Sequence, residues 1–301
     1  MFKLNWILKV LLMISFATAG STAVATSVDA QWVSVSPTKE LYVEYYAPEV
    51  GKPTVVLLHG LTYTTLQWRK FIKELTDLGY GVVCYDMEGM GQTLLKYAPI
   101  KAIIPITNHI KDLHVLLKEL GIKKPYNILG LSYGGGVAVA YALKYPKFVK
   151  NLILMAPYTK PIAKVDEFIK MQVNATRLMN PFNPFTDDEV YEYYFRQFVY
   201  MTYPKQEPIV LENKYKLEAV FRLSQGTGAF IPQEHVAELQ VPASLLIPEN
   251  DQYFPAKDYL EFWSLFPASS QKNLVYVKGS EHKIPESQPA QAAKIVQKII
   301  E

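Results

Sequence analysis

The sequence predicts an α/β fold: a mostly parallel, doubly wound sheet of eight strands, interrupted late in the chain by an inserted helical cap. Three observations predict it. Short apolar runs alternate with segments of helical spacing between residues 54 and 155, and the alternation resumes between residues 243 and 300. Repeated β-α units of this kind close into a parallel sheet with helices on both faces. Between the two blocks, residues 161–240 hold helical stretches rich in aromatics and no run that reads as a buried strand.

The elements follow in order. Gln31–Ser36 and Leu41–Tyr46 alternate polar and apolar, as a half-exposed antiparallel pair does. Thr54–Leu58 (TVVLL) is continuously apolar, the mark of a strand covered on both faces. Thr65–Leu78 spaces Leu66, Phe71, Ile72 and Leu75 as one helix. Gly81–Tyr85 is again a buried-type strand, and His109–Leu120 a helix with Ile110, Leu113, Leu116, Leu117 and Leu120 on one face. Strand Tyr126–Leu131, helix Gly135–Lys144 and strand Asn151–Met155 complete the first block. Strand Ala243–Ile247, helix Lys257–Phe266, strand Asn273–Val277 and helix Ala290–Ile300 form the second. The expected organisation is a leader at residues 1–25, a core in two parts at 26–160 and 241–301, and the cap at 161–240.

The 301 residues are 50% hydrophobic and 20% charged, enough apolar mass for a large core. A net charge of +3, dispersed along the chain, argues against a nucleic-acid partner. The single cysteine, Cys84, excludes an intrachain disulfide and sits in a strand as a core residue. No C-x-x-C or H-E-x-x-H spacing occurs, and neither a metal nor a cofactor is expected.

Residues 1–25 read as an export signal. Lys3 and Lys9 precede the apolar run Val10–Phe16, and two small-residue cleavage sites follow, Ala17-Thr18-Ala19 and Ala23-Val24-Ala25. Trp6 to Ala19 is too short to span a bilayer, which takes about 20 residues. The expectation is a periplasmic or secreted protein with no stable membrane span once the signal is cut.

Gly130-Leu131-Ser132-Tyr133-Gly134 fits G-x-S-x-G, and it lies where a strand turns into a helix. Such an elbow exposes a serine hydroxyl at the carboxyl edge of the sheet and aims a helix N-terminus at it. A serine needs a base. Of five histidines, His282 follows the last strand, where a loop reaches back toward Ser132. His109 and His114 read as surface or packing residues, His235 falls in the insertion, and His59 reads as holding its loop. The base needs an acid. Asp251 follows the strand ASLLI, with Glu249 and Asp258 as rivals. The order Ser…Asp…His separates this arrangement from other serine-hydrolase folds. Tyr133 N–H and Leu61 N–H, the latter in His59-Gly60-Leu61-Thr62, are the candidate oxyanion donors.

LLHGL at 57–61, GLSYGG at 130–135, PENDQYFP at 248–255 and GSEHKIPESQP at 279–289 resemble the α/β-hydrolase superfamily over nearly all the chain beyond the signal. Its capped branch, with monoacylglycerol lipases and proline iminopeptidases, is nearest in layout. The resemblance implies Ser132, Asp251 and His282 as catalytic triad and Leu61 and Tyr133 as oxyanion donors. One departure stands out. Where many members carry Asp-x-Arg-Gly-His-Gly-x-Ser, this chain has Asp86-Met87-Glu88-Gly89-Met90-Gly91-Gln92-Thr93. The expected activity is hydrolysis of small-molecule carboxylic esters with an apolar acyl or aryl part. Phe195 and Phe198, in the aromatic cluster of the cap, are the candidate substrate contacts. The alternatives are an iminopeptidase, with Asp187, Asp188, Glu189 and Glu192 as candidate amine-binding acids, and a binding protein on the same fold.

Overall fold

The computed structural model describes residues 28–161, 163–206 and 214–301. The expected signal at residues 1–25 lies outside them. The strands are β1 (Val28–Ser36), β2 (Lys39–Tyr46), β3 (Thr54–Leu58), β4 (Gly81–Asp86), β5 (Tyr126–Leu131), β6 (Val149–Met155), β7 (Ala243–Asn250) and β8 (Gln271–Glu281). The helices are α1 (Arg69–Asp77), α2 (Gly91–Tyr97), α3 (Ile106–Glu119), α4 (Tyr133–Lys144), α5 (Ala163–Met179), α6 (Asp187–Gln206), α7 (Lys214–Thr227), α8 (Pro232–His235), α9 (Ala256–Ser264), α10 (Ile284–Ser287) and α11 (Pro289–Ile300).

All eight strands form one sheet in the order β1-β2-β4-β3-β5-β6-β7-β8. β2 pairs antiparallel with β1 and β4, and every other pairing is parallel. The continuous apolar run predicted for β3 is fully enclosed from Val55 to Leu58, and all of β4 is buried. The step from β3 to β4 runs toward β1, whereas those from β4 to β5 and β5 to β6 run toward β8. Because such crossovers are right-handed, the reversal puts α1 on one face and α3 and α4 on the other. α11 packs on α1, and α4 on α3. The reversal falls between neighbours β3 and β5, and crevices at such switch points are where open α/β sheets bind ligands.

Two local departures have physical causes. The single helix expected over Thr65–Leu78 is a 3₁₀ turn, Thr65–Trp68, followed by α1. Buried carboxylates hold that turn: the Thr65 N–H donates to Asp86 at 2.7 Å and the Thr65 hydroxyl to Glu44 at 3.1 Å. The same Asp86 accepts the Gln92 N–H at 2.7 Å, which anchors α2, a helix too short to show a period in sequence. Gly91 has φ +54°, and a Cβ there would lie 2.1 Å from the Asp86 carboxylate, so only glycine fits.

Between β6 and β7 the chain runs through α5, α6 and α7, each packed on the next. α7 also packs on α2 and α3. The Ile104 N–H donates to the Arg222 carbonyl at 3.3 Å, and a Cβ on Gly226 would come within 1.9 Å of the Ile104 carbonyl oxygen. This inserted set is therefore strapped to the segment entering α3. No helix among the described residues is long and apolar enough to cross a membrane.

Candidate active site

Ser132 follows β5 and opens α4 with φ +51° and ψ −119°, a conformation costly for any residue with a Cβ. The surroundings enforce it. Its N–H donates to the Met155 carbonyl at 3.1 Å, and its carbonyl accepts the Gly135 and Tyr158 N–H groups, each at 2.8 Å. The flanking glycines are obligatory: a Cβ on Gly130 would sit 2.3 Å from the Gly134 carbonyl oxygen, and one on Gly134 would sit 2.1 Å from that of Leu58. α4 thus rests directly on the backbone of β3 and β5, with its first N–H groups at the serine.

The loop after β3 comes to the same place. A Cβ built on Gly60 would lie 3.6 Å from the Ser132 Cβ. His59 is fully buried and holds this loop, as the sequence suggests. Its Nε2 accepts the Met87 N–H at 3.2 Å, so Nδ1 carries the proton and donates to the Gly60 carbonyl at 2.9 Å. Burial pushes its pKa down to about 4, and the ring stays neutral. The Gly60–Leu61 peptide is planar and trans, so fixing the Gly60 carbonyl also aims the Leu61 N–H the opposite way. Neither the Leu61 nor the Tyr133 N–H has a hydrogen-bond acceptor among the described residues.

Asp251 and His282 are joined: Asp251 Oδ2 lies 2.8 Å from His282 Nδ1, and both side chains are almost fully enclosed. Oδ2 also accepts the Tyr259 hydroxyl at 2.7 Å, while Oδ1 accepts the Tyr253 and Phe254 N–H groups at 2.7 and 3.0 Å. Burial alone would raise the Asp251 pKa, but these donors, His282 foremost, outweigh it and hold the carboxyl below its usual range. Tyr259 moves up, through burial and the adjacent carboxylate. The Tyr253 ring meets His282 edge-on with centroids 4.8 Å apart. Of the rival acids, Glu249 accepts the Gly279 N–H at 2.7 Å, and Asp258 lies in the first turn of α9.

Among the described residues no hydrogen bond joins Ser132 to His282. Such contacts are often loose before a substrate binds. α10, immediately beyond His282, packs against the Thr65–Trp68 turn and α1, which brings the histidine's loop to the β3 side of the sheet. A polar cleft of about 580 Å³ opens along these loops, lined by Lys70, Gln252, Tyr253, Lys283 and Glu286 among others. The described hydrophobic contacts of Phe195 and Phe198 differ. Phe195 packs with Val199, Val220 and Phe221, a cluster that Leu61 also touches. Phe198 faces Phe168, at 6.4 Å between centroids, and Phe168 is exposed.

Three features escape the sequence pattern. Tyr259 stands eight residues from Asp251, at a distance no motif marks. Glu88 pairs with Lys39 at 2.9 Å, and Lys39 also pairs with Asp112 at 2.8 Å, so this carboxylate has its own partner. Of the surface and packing readings of His109 the structure takes packing, with polar contacts that spacing does not show: it is fully buried beneath the elbow, with Nε2 3.0 Å from the Tyr133 hydroxyl and Nδ1 without a partner among the described residues. Burial, with Lys39 adding, pushes its pKa down to about 3. A histidine that titrates near 6.5 unfolded and near 3 folded keeps the unfolded state ahead in protons across that window, so its contribution makes stability fall as pH falls. Relative to wild type, His109→Gln should therefore gain about 1.4 kcal/mol of stability per pH unit on acidification from 6.5. Denaturant melts at pH 7, 6 and 5 measure this, and a pH-independent difference would refute it.

A family model described as alpha/beta hydrolase fold matches residues 53–288. A monoacylglycerol lipase, abhd6-B of Xenopus laevis, is 32% identical over 111 residues, 36% of this chain and 31% of that protein. The monoacylglycerol lipase ABHD6 of Rattus norvegicus is 23% identical over 257 residues, 81% of this chain and 74% of that protein. Among solved structures, a thermophilic esterase from Thermogutta terrifontis superposes with a TM-score of 0.65 at 18% identity, covering 90% of this chain and 98% of the esterase. With its sheet order, its strained elbow and the extent of the match, the chain belongs to the α/β-hydrolase fold family.

Proposed function

We propose that the protein is an exported serine hydrolase that cleaves carboxylic esters with an apolar acyl or aryl part. The observation that carries this is the pairing of Asp251 with His282 Nδ1, which leaves Nε2 without a hydrogen-bond partner among the described residues, beside the separate finding of a strained serine elbow after β5. In the proposed reaction Ser132 Oγ attacks the ester carbonyl and His282 Nε2 takes its proton. The Leu61 and Tyr133 N–H groups receive the oxyanion. His282 then returns the proton to the departing alcohol. Water, deprotonated by the same nitrogen, attacks the acyl-enzyme carbonyl; as the C–O bond to Ser132 breaks, His282 returns that proton to Oγ and the acid leaves. The similarity to monoacylglycerol lipases and to an esterase supports the substrate class. The charged and apolar pattern of residues 1–25 supports export.

An iminopeptidase needs acids free to hold a substrate amine, and three of the four candidates are engaged elsewhere. Asp187 pairs with Arg177, Glu192 pairs with Arg196 and Arg222, and Glu189 accepts the Thr186 N–H at 2.8 Å. These contacts favour the esterase reading.

The acyl group is proposed to lie against the inserted helices, where Leu61 meets the Phe195 cluster. Each methylene buried there contributes up to about 0.8 kcal/mol, or about fourfold in kcat/KM. With p-nitrophenyl esters of increasing length, kcat/KM should rise beyond acetate until the space is filled. Phe195→Ala should flatten that rise, and Phe198→Ala should do so much less. A wild type that prefers acetate, or that turns over proline arylamides faster than every ester, would replace this reading with the peptidase one. Export is checked by the mass of the chain recovered outside the cytoplasm; a cytoplasmic chain retaining residues 1–25 would refute it.

A further inference from the structure

We infer that Gln67 is a positioning residue for oxyanion stabilisation, its amide gripping the Gly60 N–H and being oriented in turn by the Glu286 carboxylate. The inference rests on the serine-hydrolase reading above. Gln67 is buried and belongs to the Thr65–Trp68 turn, whose start is tied to Asp86 and Glu44. Its Oε1 accepts the Gly60 N–H at 3.0 Å. Only the oxygen end of a primary amide can meet an N–H, so the nitrogen end must face away. There it donates to Glu286 Oε1 at 3.4 Å. A carboxylate offers only acceptors and so selects this orientation of the amide over its flip.

Gly60 is thereby held on both sides, its N–H by Gln67 and its carbonyl by His59. The two peptide planes that meet at its Cα are both fixed, and with them the direction of the Leu61 N–H. Gly60 abuts Ser132, so a swing of this backbone displaces the donor relative to the nucleophile. Glu286 stands four residues beyond His282, in α10, which packs on the same turn. One side-chain link thus connects the loop of the base to the loop of the donor. Donors that are oriented in advance need no reorganisation when charge develops.

The test uses the full chain as wild type, Gln67→Met, Gln67→Glu, Glu286→Gln, and Gln67→Glu combined with Glu286→Gln. The readouts are kcat and KM on the best ester, affinity for an alkyl boronic acid that adds the serine oxygen to form a tetrahedral anion, and melting temperature. Gln67→Met removes the acceptor at nearly constant volume. Its kcat should fall about 10–100-fold, with KM within about threefold of wild type and boronate affinity falling in step with kcat. Gln67→Glu keeps the acceptor but faces Glu286 with a like charge, and it should also lose activity. The combined variant restores a donor–acceptor pair with the roles exchanged and should recover most of it. Unchanged kcat in Gln67→Met overturns the inference. So does a loss confined to KM and melting temperature, or a combined variant no better than Gln67→Glu alone. A wild type that neither turns over esters nor reacts with a fluorophosphonate at Ser132 overturns the serine-hydrolase reading itself, and the Gln67 role with it.

Discussion

Ser132→Ala is expected to fold as the wild type does and to lose ester turnover by about 10⁴–10⁶-fold. The two halves of this expectation have separate physical grounds. The strained backbone at Ser132 is enforced by main-chain hydrogen bonds to the Met155 carbonyl and from the Gly135 and Tyr158 N–H groups, and alanine keeps every one of them. Alanine is smaller than serine, and its Cβ occupies a position the serine Cβ already occupies. The melting temperature should therefore move little. Chemistry has no such substitute, because the elbow's other hydroxyl, that of Tyr133, is buried against His109. What remains is the rate supplied by substrate binding and oxyanion donors, about 10³–10⁴ above the reaction in water for triads in general. A fluorophosphonate should add its phosphonyl group to the wild type, found by mass at Ser132, and should leave the variant unmodified. Labelling that persists in Ser132→Ala, or turnover that survives within tenfold, would place the nucleophile elsewhere.

What the sequence made legible were features set by local pattern and chain order. A run such as Thr54-Val55-Val56-Leu57-Leu58 is apolar because both of its faces are covered, so its place inside the sheet is readable from composition alone. The glycines at 130 and 134 mark backbone approaches too close for a side chain, and the structure shows those approaches directly. Asp251 was separable from its rivals by its distance past β7, and it does reach His282. What stayed hidden depends on groups far apart in sequence. The Thr65–Trp68 turn exists because Asp86 and Glu44, from β4 and β2, supply buried acceptors to Thr65. No period within residues 65–78 could report that. Tyr259 and Gln67 carry ordinary helix and turn spacing, and only the assembled loops give their polar ends partners. His109 sits at a helical position that reads equally as surface or packing, and only the packing of α3 against Tyr133 decides between them.

Asp251→Asn is expected to lower turnover by about 10³–10⁴-fold. The geometry says why such a small change costs so much. Asp251 Oδ1 accepts two backbone N–H groups, from Tyr253 and Phe254. An asparagine must keep its oxygen there, because an NH₂ group facing two N–H donors would leave all of them unpaired. Its nitrogen is then forced into the position of Oδ2, against the Tyr259 hydroxyl and His282 Nδ1. The tyrosine oxygen can turn and accept from it. His282 can accept from it only through an unprotonated Nδ1, which moves the ring proton to Nε2. That nitrogen is the one proposed to take the Ser132 proton, so the variant holds its base in the wrong tautomer and has lost the charge that stabilises the imidazolium. Tyr259→Phe provides the contrast. It removes one neutral donor from a carboxylate that keeps three others, and it leaves the tautomer alone, so it should cost activity far less than Asp251→Asn. The ¹⁵N chemical shifts of His282 distinguish the tautomers directly: the proton should sit on Nδ1 in wild type and Tyr259→Phe, and on Nε2 in Asp251→Asn. If Asp251→Asn kept near-wild-type turnover while Asp258→Asn lost it, the acid would have to be reassigned to α9.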